Sequence, residues 1–509
     1  MTDLLTNAQM RAAEATAIAS GRVSGGDLMA RAGAGVVQAI FDSWSDLRKA
    51  PQRAVVLCGP GNNGGDGYVV ARVLQGMGWQ VVVHGTAAGG GDAGRMAQAW
   101  AAAGGEVLPL AAKVVEASLR EAVVVVDALL GIGQLRPADA LLGPVLQAKA
   151  ALGPSALRWV AVDVPTGLNG DSGRMTGALA CQADLTVTFH CAKIGHHLGK
   201  GPALCGRLVV VDLRIAQAGG VGLRLTAAPE GLAKTVGHKF SHGHALILGG
   251  PPGQGGAARL AARGALRVGA GLVTLACPSA ALAENAARLD AVILRAIEGG
   301  AGLGNLLQDQ RINALCLGPG LGLDASAAGL VRAGLEAGQK RGLPTVLDAD
   351  ALTLVARDRT LRALLHQACV LTPHGGEFAR LFPDLAAKLD DPSGADCSYS
   401  KIDATQTAAA GVGCVVLFKG ADTVIASPDR TCALSAATYQ AQAPWLATAG
   451  SGDVLAGIIT GLLARGFAPQ GAAESGAWLH QDAARRFGPG LIAEDLPDQL
   501  PAVFRALGL

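Results

Sequence analysis

Near its C-terminus the chain reads A-T-A-G-S-G-D-V-L-A-G, from Ala447 to Gly457. Small residues and glycines lead into Asp453, and an apolar helical pattern begins directly after it. In sequence this is a backbone anion cradle at a helix N-terminus, with one carboxylate beside it. Binding an anion gains nothing from a carboxylate, because like charges repel. Asp453 therefore points to a base beside a phosphoryl group, with a helix-capping aspartate in a Gly-rich turn as the plain alternative.

The same half of the chain carries four further glycine-bearing clusters that follow Val- and Leu-rich runs. They are G-G-P-P-G-Q-G-G-A at Gly249–Ala257, G-P-G-L-G at Gly318–Gly322, L-T-P-H-G-G-E-F at Leu371–Phe378 and F-K-G-A-D-T at Phe418–Thr423. Asp348 and Asp350 sit in V-L-D-A-D-A-L. Glycine lets backbone approach a ligand closely, and this set fits phosphoryl transfer, which needs positioning and charge neutralisation above all. Lys419 offers a cation, the Gly450–Gly452 amides a cradle and Asp453 a base for an acceptor hydroxyl. Glu377 reads two ways, as a Mg²⁺-holding carboxylate or as a first-turn helix acid.

The first half has its own set. Gly59–Gly67 reads G-P-G-N-N-G-G-D-G between a strand and a helix. It contains G-x-G-x-x-G, but a dinucleotide fold would also place an acid at the end of the second strand. His84 and Thr86 stand there instead, which argues against hydride transfer. Asn62, Asn63 and Asp66 add oxygens of the kind that suit a hard cation. Asp127 in V-V-D-A-L-L-G-I-G and Asp163 in V-A-V-D-V-P-T-G-L end two more strands, where parallel sheets bind ligands.

These residues need a scaffold, and the composition describes it. At 509 residues the chain exceeds one ordinary core. With 50% hydrophobic residues, 4% aromatics and 72 glycines, the core is built from Ala, Val and Leu. Val-rich strands alternating with helices imply parallel sheets covered on both faces. Strands are expected at Arg53–Cys58, Gln80–His84, Ala122–Val126, Trp159–Val164, Leu185–Phe189 and Leu208–Val211, with the first loop's helix starting near Gly67. After a linker over Arg214–Lys234, a second block has strands at Ala245–Leu248, Leu272–Ala276, Ala314–Leu317, Thr345–Leu347, Cys369–Leu371 and Cys414–Phe418, then a hairpin. Asp390–Ser400 reads as an exposed polar loop. The net charge of +2 gives no pull toward nucleic acid or membrane. The apolar runs are too short to span a bilayer, and the start lacks a signal-peptide pattern. Ten scattered cysteines without C-x-x-C imply reduced thiols in a cytoplasmic protein. The His238/His242/His244 and His196/His197 groups lack partners at metal-ligand spacing.

From Leu4 to Ile215, the motifs G-P-G-N-N-G-G-D-G, D-A-L-L-G-I-G-x-x-R-P, D-V-P-T-G-L-N-G and T-F-H-x-x-K-x-G resemble the epimerase domain of NAD(P)H-hydrate repair enzymes. The resemblance implies a Rossmann-like domain that interconverts R and S hydrates of NADH and NADPH. Its hydrate-binding positions fall on Asn62, Asn63, Gly64, Gly65 and Asp66, and on Gly131, Ile132, Gly133, Gln134, Leu135, Arg136 and Pro137. Asp163 matches the residue that contacts the hydrated nicotinamide and is the acid–base candidate. A potassium ion is implied at Asn63, Asp127 and Thr166. The family usually has Ser at Thr166's position and Thr at Ile132's, and Lys193 matches a family lysine.

From Lys239 to about Leu496, K-x-x-H-G, G-P-G-L-G, D-A-D-A-L, T-P-H-x-x-E-F, K-G-A and A-G-S-G-D-V-L-A-G resemble the ADP/ATP-dependent NAD(P)H-hydrate dehydratases of the ribokinase-like superfamily. The implied reaction is phosphorylation of the hydrate hydroxyl, then loss of phosphate to restore the dihydronicotinamide. Hydrate positions fall on Ala257, Gly320, His374 and Asp453, and adenine-nucleotide positions on Lys419, Gly420, Ala421, Asp422, Thr423 and Gly452. ADP is the expected co-substrate, giving AMP, with ATP the alternative and Mg²⁺ the metal. The family often has Pro where Gly375 stands, and N-x-x-G-N where this chain has Y-Q-A-Q-A-P-W. The expected domains are 1–222 and 223–509, in a homo-oligomer. The competing reading is a ribokinase-like small-molecule kinase with a non-catalytic N-terminal ligand-binding module.

Overall fold

The structure, a computed structural model, describes residues 3–216, 223–234, 236–391 and 396–509. These gather into two compact units. The first comprises 3–216 with 391 and 396–400, and the second comprises 223–234, 236–390 and 401–509.

The first unit is built on a parallel sheet of seven strands. They are β1 (Arg53–Cys58), β2 (Gln80–Gly85), β3 (Val107–Leu108), β4 (Val124–Ala128), β5 (Arg158–Val162), β6 (Leu185–Phe189) and β7 (Arg207–Val211), in the order β3-β2-β1-β4-β5-β6-β7. Both faces are buried. Val56 and Cys58 of β1 join one apolar cluster with Val36, Ile40 and Leu74, while Val55 and Leu57 join another with Leu142 and Val145. Two covered faces explain why the strands read as unbroken Val-rich runs. The winding reverses at β1, between β2 and β4, and such a reversal opens a crevice beyond the carboxyl ends of the strands. The register pairs Leu57 with Asp127 and Asp127 with Ala161, so the ends of β1, β4 and β5 are nearly level.

The second unit has a ten-stranded sheet. Its strands are β8 (Leu223–Leu225), β9 (His244–Leu248), β10 (Leu272–Cys277), β11 (Ile293–Ala296), β12 (Ala314–Leu317), β13 (Thr345–Leu347), β14 (Cys369–Leu371), β15 (Val415–Phe418), β16 (Asp422–Ala426) and β17 (Cys432–Ala436). The order is β11-β10-β9-β12-β13-β14-β15-β16-β17-β8, parallel through β15 and then antiparallel through the β16–β17 hairpin. Here the winding reverses at β9, between β10 and β12. The architecture is the expected α/β one in both units.

Several local expectations are corrected. The helix after β1 runs Asn62–Gly76, so the Asn/Gly loop is largely its first turn. The low helix propensity of glycine is overridden there by packing: a Cβ on Gly64 would lie 1.9 Å from the Gly59 carbonyl oxygen. The linker contains β8, which pairs with β17 and is too short to signal itself. Short strands β3 and β11 also escape the pattern. Within the loop expected to be exposed, Cys397 and Ser400 are buried. The Ser172 hydroxyl donates to the Cys397 carbonyl, and Asn169 Nδ2 lies 3.6 Å from Cys397 Sγ. Among the described residues no helix is long and apolar enough to cross a membrane.

Candidate active sites

In the first unit the carboxyl ends of the central strands surround a cavity of about 480 Å³. Asp163, the residue after β5, has φ +67°. Non-glycine residues enter this left-handed region at a cost of about 1–3 kcal/mol, and such strain collects at functional positions. Its amide donates to the Val187 carbonyl of β6 at 2.7 Å, which pins the turn. One carboxylate oxygen lies 2.9 Å from Lys193 Nζ and accepts from the Thr188 hydroxyl at 3.0 Å. The other accepts from the Ile132 amide at 3.2 Å. Lys193 is wholly buried, and its Nζ also donates to Thr188 Oγ1 and the Phe189 carbonyl. Burial alone would raise the Asp163 carboxyl, but the Lys193 ammonium and the hydrogen bonds outweigh it and hold the group below the usual carboxylate range. Asp163 is thus an ionised carboxylate kept inside a cavity. Burial, then Asp163 and Glu14, push Asp66 well up.

Asn62, Asn63, Asp66, Gly131, Ile132, Gly133 and Gln134 line this cavity with Asp163. Gly64 and Gly65 are buried in the helix's first turn. Leu135, Arg136 and Pro137 are exposed and outside the lining, so the second loop contributes only its first half. Gln134 also has a structural role, since its side-chain amide donates to the Pro165 carbonyl and accepts from the Gly167 amide. Asn63 Oδ1 and Asp163 Oδ2 each lie 3.0 Å from where a Cβ on Gly131 would stand, so a side chain there would crowd both. Asp127, at the end of β4, is 1% exposed. It accepts from the Thr166 hydroxyl at 2.7 Å and the Thr166 amide at 2.9 Å. Burial raises its carboxyl, and those hydrogen bonds only partly oppose the rise. A buried carboxylate beside a hydroxyl, with no basic side chain paired to it among the described residues, fits a hard, oxygen-ligated cation. His84 is spent on Ser118 and the Pro109 carbonyl, a structural role.

In the second unit Lys419 follows β15 and Asp348 follows β13. Lys419 Nζ lies 2.7 Å from Asp348 Oδ1 and 3.8 Å from Glu377 Oε2, and the Thr372 hydroxyl donates to the same Asp348 oxygen at 2.8 Å. Burial disfavours the ammonium, but Asp348 and Glu377 outweigh it and raise its pKa. The ammonium lies 3.3 Å from where a Cβ on Gly452 would stand, so it faces the first turn of the helix Ser451–Ala464. Gly450 caps that helix at φ +86° with no side-chain cap, leaving first-turn amides available to an anion. His480 supports the turn by donating to the Ser451 carbonyl at 2.9 Å. Burial, then the Asp348 carboxylate, push Asp453 up to about 7, the range that suits a general base at neutral pH.

The other expected residues fall around this point. Ala257 Cβ is 3.5 Å from where a Cβ on Gly320 would stand, so the first and second glycine loops meet. Asp350 accepts from the Gly322 amide at 2.9 Å. His374 caps the helix Gly375–Leu381: its Nδ1 accepts from the Gly376 amide, while Glu377 Oε2 accepts from the His374 amide at 2.8 Å. Glu377 thus acts as the first-turn helix acid through Oε2. Among the described residues no group of three or more His, Cys, Asp or Glu gathers as a metal site. Sequence reasoning missed Lys401, whose Nζ donates to the Lys419 and Asp422 carbonyls and to Asp422 Oδ1. It holds the Lys419–Thr423 turn in shape, and Thr423 helps by donating to the Gly420 carbonyl. Lys401 is a lone lysine in a helix and carries no sequence signal.

Comparison with known proteins places both halves of the chain. Residues 245–501 match the family described as NAD(P)H-hydrate dehydratase, and residues 25–195 match the YjeF-related protein N-terminus. The chain is 37% identical to the bifunctional NAD(P)H-hydrate repair enzyme Nnr of Moorella thermoacetica, covering 94% of this chain and 92% of that one. It is 35% identical to the enzyme of the same name from Coxiella burnetii, covering 97% and 98%. Among solved structures, the ADP/ATP-dependent NAD(P)H-hydrate dehydratase of Bacillus subtilis, crystallised with ATP and Mg²⁺, is 28% identical over 55% of this chain and 94% of that one, with a TM-score of 0.43. The chain belongs to the bifunctional NAD(P)H-hydrate repair enzymes, which join an NAD(P)H-hydrate epimerase to a nucleotide-dependent NAD(P)H-hydrate dehydratase.

Proposed function

We propose that Asp163 is the acid–base residue of the epimerase and Asp453 the base of the dehydratase. For Asp453 the carrying observation is a carboxyl poised at about 7 beside an uncapped helix N-terminus and the Lys419 ammonium. Asp453 takes the proton of the hydrate hydroxyl as that oxygen attacks the terminal phosphoryl group of the nucleotide. The Gly450–Gly452 amides and Lys419 hold the phosphoryl oxygens. Phosphate then leaves with the C–O electron pair, the ring nitrogen supplies electrons, and loss of the neighbouring C–H proton restores the dihydronicotinamide. With ADP the products are NAD(P)H, AMP and phosphate. Ala257, Gly320 and His374 bind the S hydrate, and Lys419–Thr423 with Gly452 the nucleotide. Glu377 is the carboxylate that would help hold Mg²⁺, which would supply neutralisation of phosphate charge.

In the epimerase, Asn62–Asp66 and the loop from Gly131 hold the hydrate against Asp163. Potassium is held by Asn63, Asp127 and Thr166, a reading supported by the buried Asp127 carboxylate without a basic partner among the described residues. The domains are 1–222 and 223–509, in a cytoplasmic homo-oligomer; the described cysteines are all free. To test these assignments, the purified protein is incubated with mixed NADH hydrates plus ADP or ATP, and both isomers are followed. Loss of both with recovery of NADH absorbance is expected. A stable phosphorylated product would instead make the second unit a kinase.

A further inference from the structure

We propose that Glu14 is the second acid–base group of the epimerase, serving the face of the hydrated ring that Asp163 does not. The proposal rests on the reading of Asp163 as the first such group. Glu14 lies on the helix Asn7–Ala19, far in sequence from every motif above. That helix is fixed firmly. Thr6 and Gln9 form a capping box, the Asn7 amide donates to Asp171 at 2.6 Å, and Leu5 exchanges backbone hydrogen bonds with Ala192 and Ile194 on either side of Lys193. The result brings Glu14 to the same cavity as Asp163, Asp66 and Lys193, on a different wall: a helix instead of a strand end. Among the described residues its carboxyl makes no hydrogen bond or ion pair. A half-buried carboxyl with no structural partner, lining a substrate cavity, is available for chemistry. Burial and then Asp163 raise Glu14 against the opposing Lys193 and Arg11 charges, whereas Lys193 holds Asp163 low, so the two carboxyls are driven in opposite directions. Two carboxyls driven apart in this way make an acid and a base.

The reaction needs such a pair. Hydration of an enamine puts the hydroxyl on the carbon next to the ring nitrogen, and the R and S hydrates differ there. Inverting that carbon requires its C–O bond to break and reform on the opposite face. Glu14 gives its proton to the departing hydroxyl, the C–O bond breaks, and water leaves. The nitrogen lone pair forms the C=N⁺ bond. A solvent water then adds to the other face, Asp163 takes its proton, and the C=N⁺ electrons return to nitrogen. The net change is one water exchanged and one proton moved from Glu14 to Asp163, reset through solvent. In the reverse direction the two groups exchange roles.

The test uses the full-length protein with NADH hydrates, separating the isomers over time after subtraction of the spontaneous rate. Glu14→Gln is expected to lower epimerase kcat by roughly 10²–10⁴-fold, the span of a general acid, with KM changed by less than about three-fold. The fall of wild-type kcat/KM at high pH, where Glu14 loses its proton, should vanish in Glu14→Gln and persist in Glu14→Asp, which regains part of the rate. Wild-type kcat in Glu14→Gln overturns the proposal. So does a slow variant with an unchanged pH profile, because Glu14 is then structural. Asp163→Asn is measured in parallel: if that variant stays fast, the reading of Asp163 fails; if it is slow while Glu14→Gln is fast, only Glu14 fails.

Discussion

Asp453 is held near 7 because burial, and then Asp348, disfavour its charge. An unfolded aspartate titrates at about 3.9. The folded state therefore binds more protons than the unfolded one between about pH 4 and pH 7, and stability falls as pH rises through that window. Asp453→Asn removes this penalty. Its melting temperature should exceed wild type at about pH 8 and match it near pH 4, while dehydratase turnover drops roughly 10²–10⁴-fold. Wild-type dehydratase turnover should climb with pH through about 7 as the base ionises. Thermal melts and initial rates at matched pH check this; near-normal turnover in the variant removes Asp453 from the role of base. The candidate was legible in A-G-S-G-D because an acid beside an anion cradle suits a base, although a capping aspartate in a Gly-rich turn reads the same way. Its pKa was not legible, since Asp348 lies more than a hundred residues away in the chain.

At the scale of elements, the helices Gly256–Arg267 and Ser451–Ala464 hold the two sides of the candidate dehydratase site at close approach. A Cβ on Gly457 would lie 2.0 Å from the Ala261 carbonyl oxygen. Gly457→Ala forces these helices apart, costing about 1–3 kcal/mol by overpacking. It also moves Asp453, one helical turn earlier, away from Ala257 at the start of the facing helix. A lowered urea midpoint together with slower dehydration is expected, and an unchanged midpoint would show that the helices tolerate separation. The sequence showed glycine here without showing its reason. Strand positions were readable because two covered faces demand unbroken apolar runs, and Leu185–Phe189, Ala314–Leu317 and Thr345–Leu347 match residue for residue. The start at Asn62 and the three-residue β8 were not, because each owes its conformation to distant packing partners.

At the scale of the whole molecule, one chain carries an isomerase and a lyase acting on one pool of damaged cofactor. Asp163→Ala should still restore NADH from the S hydrate with ADP, while the R hydrate disappears only at its spontaneous rate. Following both isomers checks this, and equal clearance of both would place epimerisation elsewhere in the chain. The sequence by itself determined two α/β units and the glycine-rich strand ends, and it offered Asp163 and Asp453 as candidates, because these depend on local pattern and on chemistry that few residue types can do. Only the tertiary structure decided what sets their charge. Lys193 beneath Asp163, Glu14 in the same cavity, Asp348 beside Lys419 and Asp453, and Lys401 behind the Lys419–Thr423 turn act through space. Electrostatic influence depends on distance and burial, and neither is written in the spacing of residues along the chain.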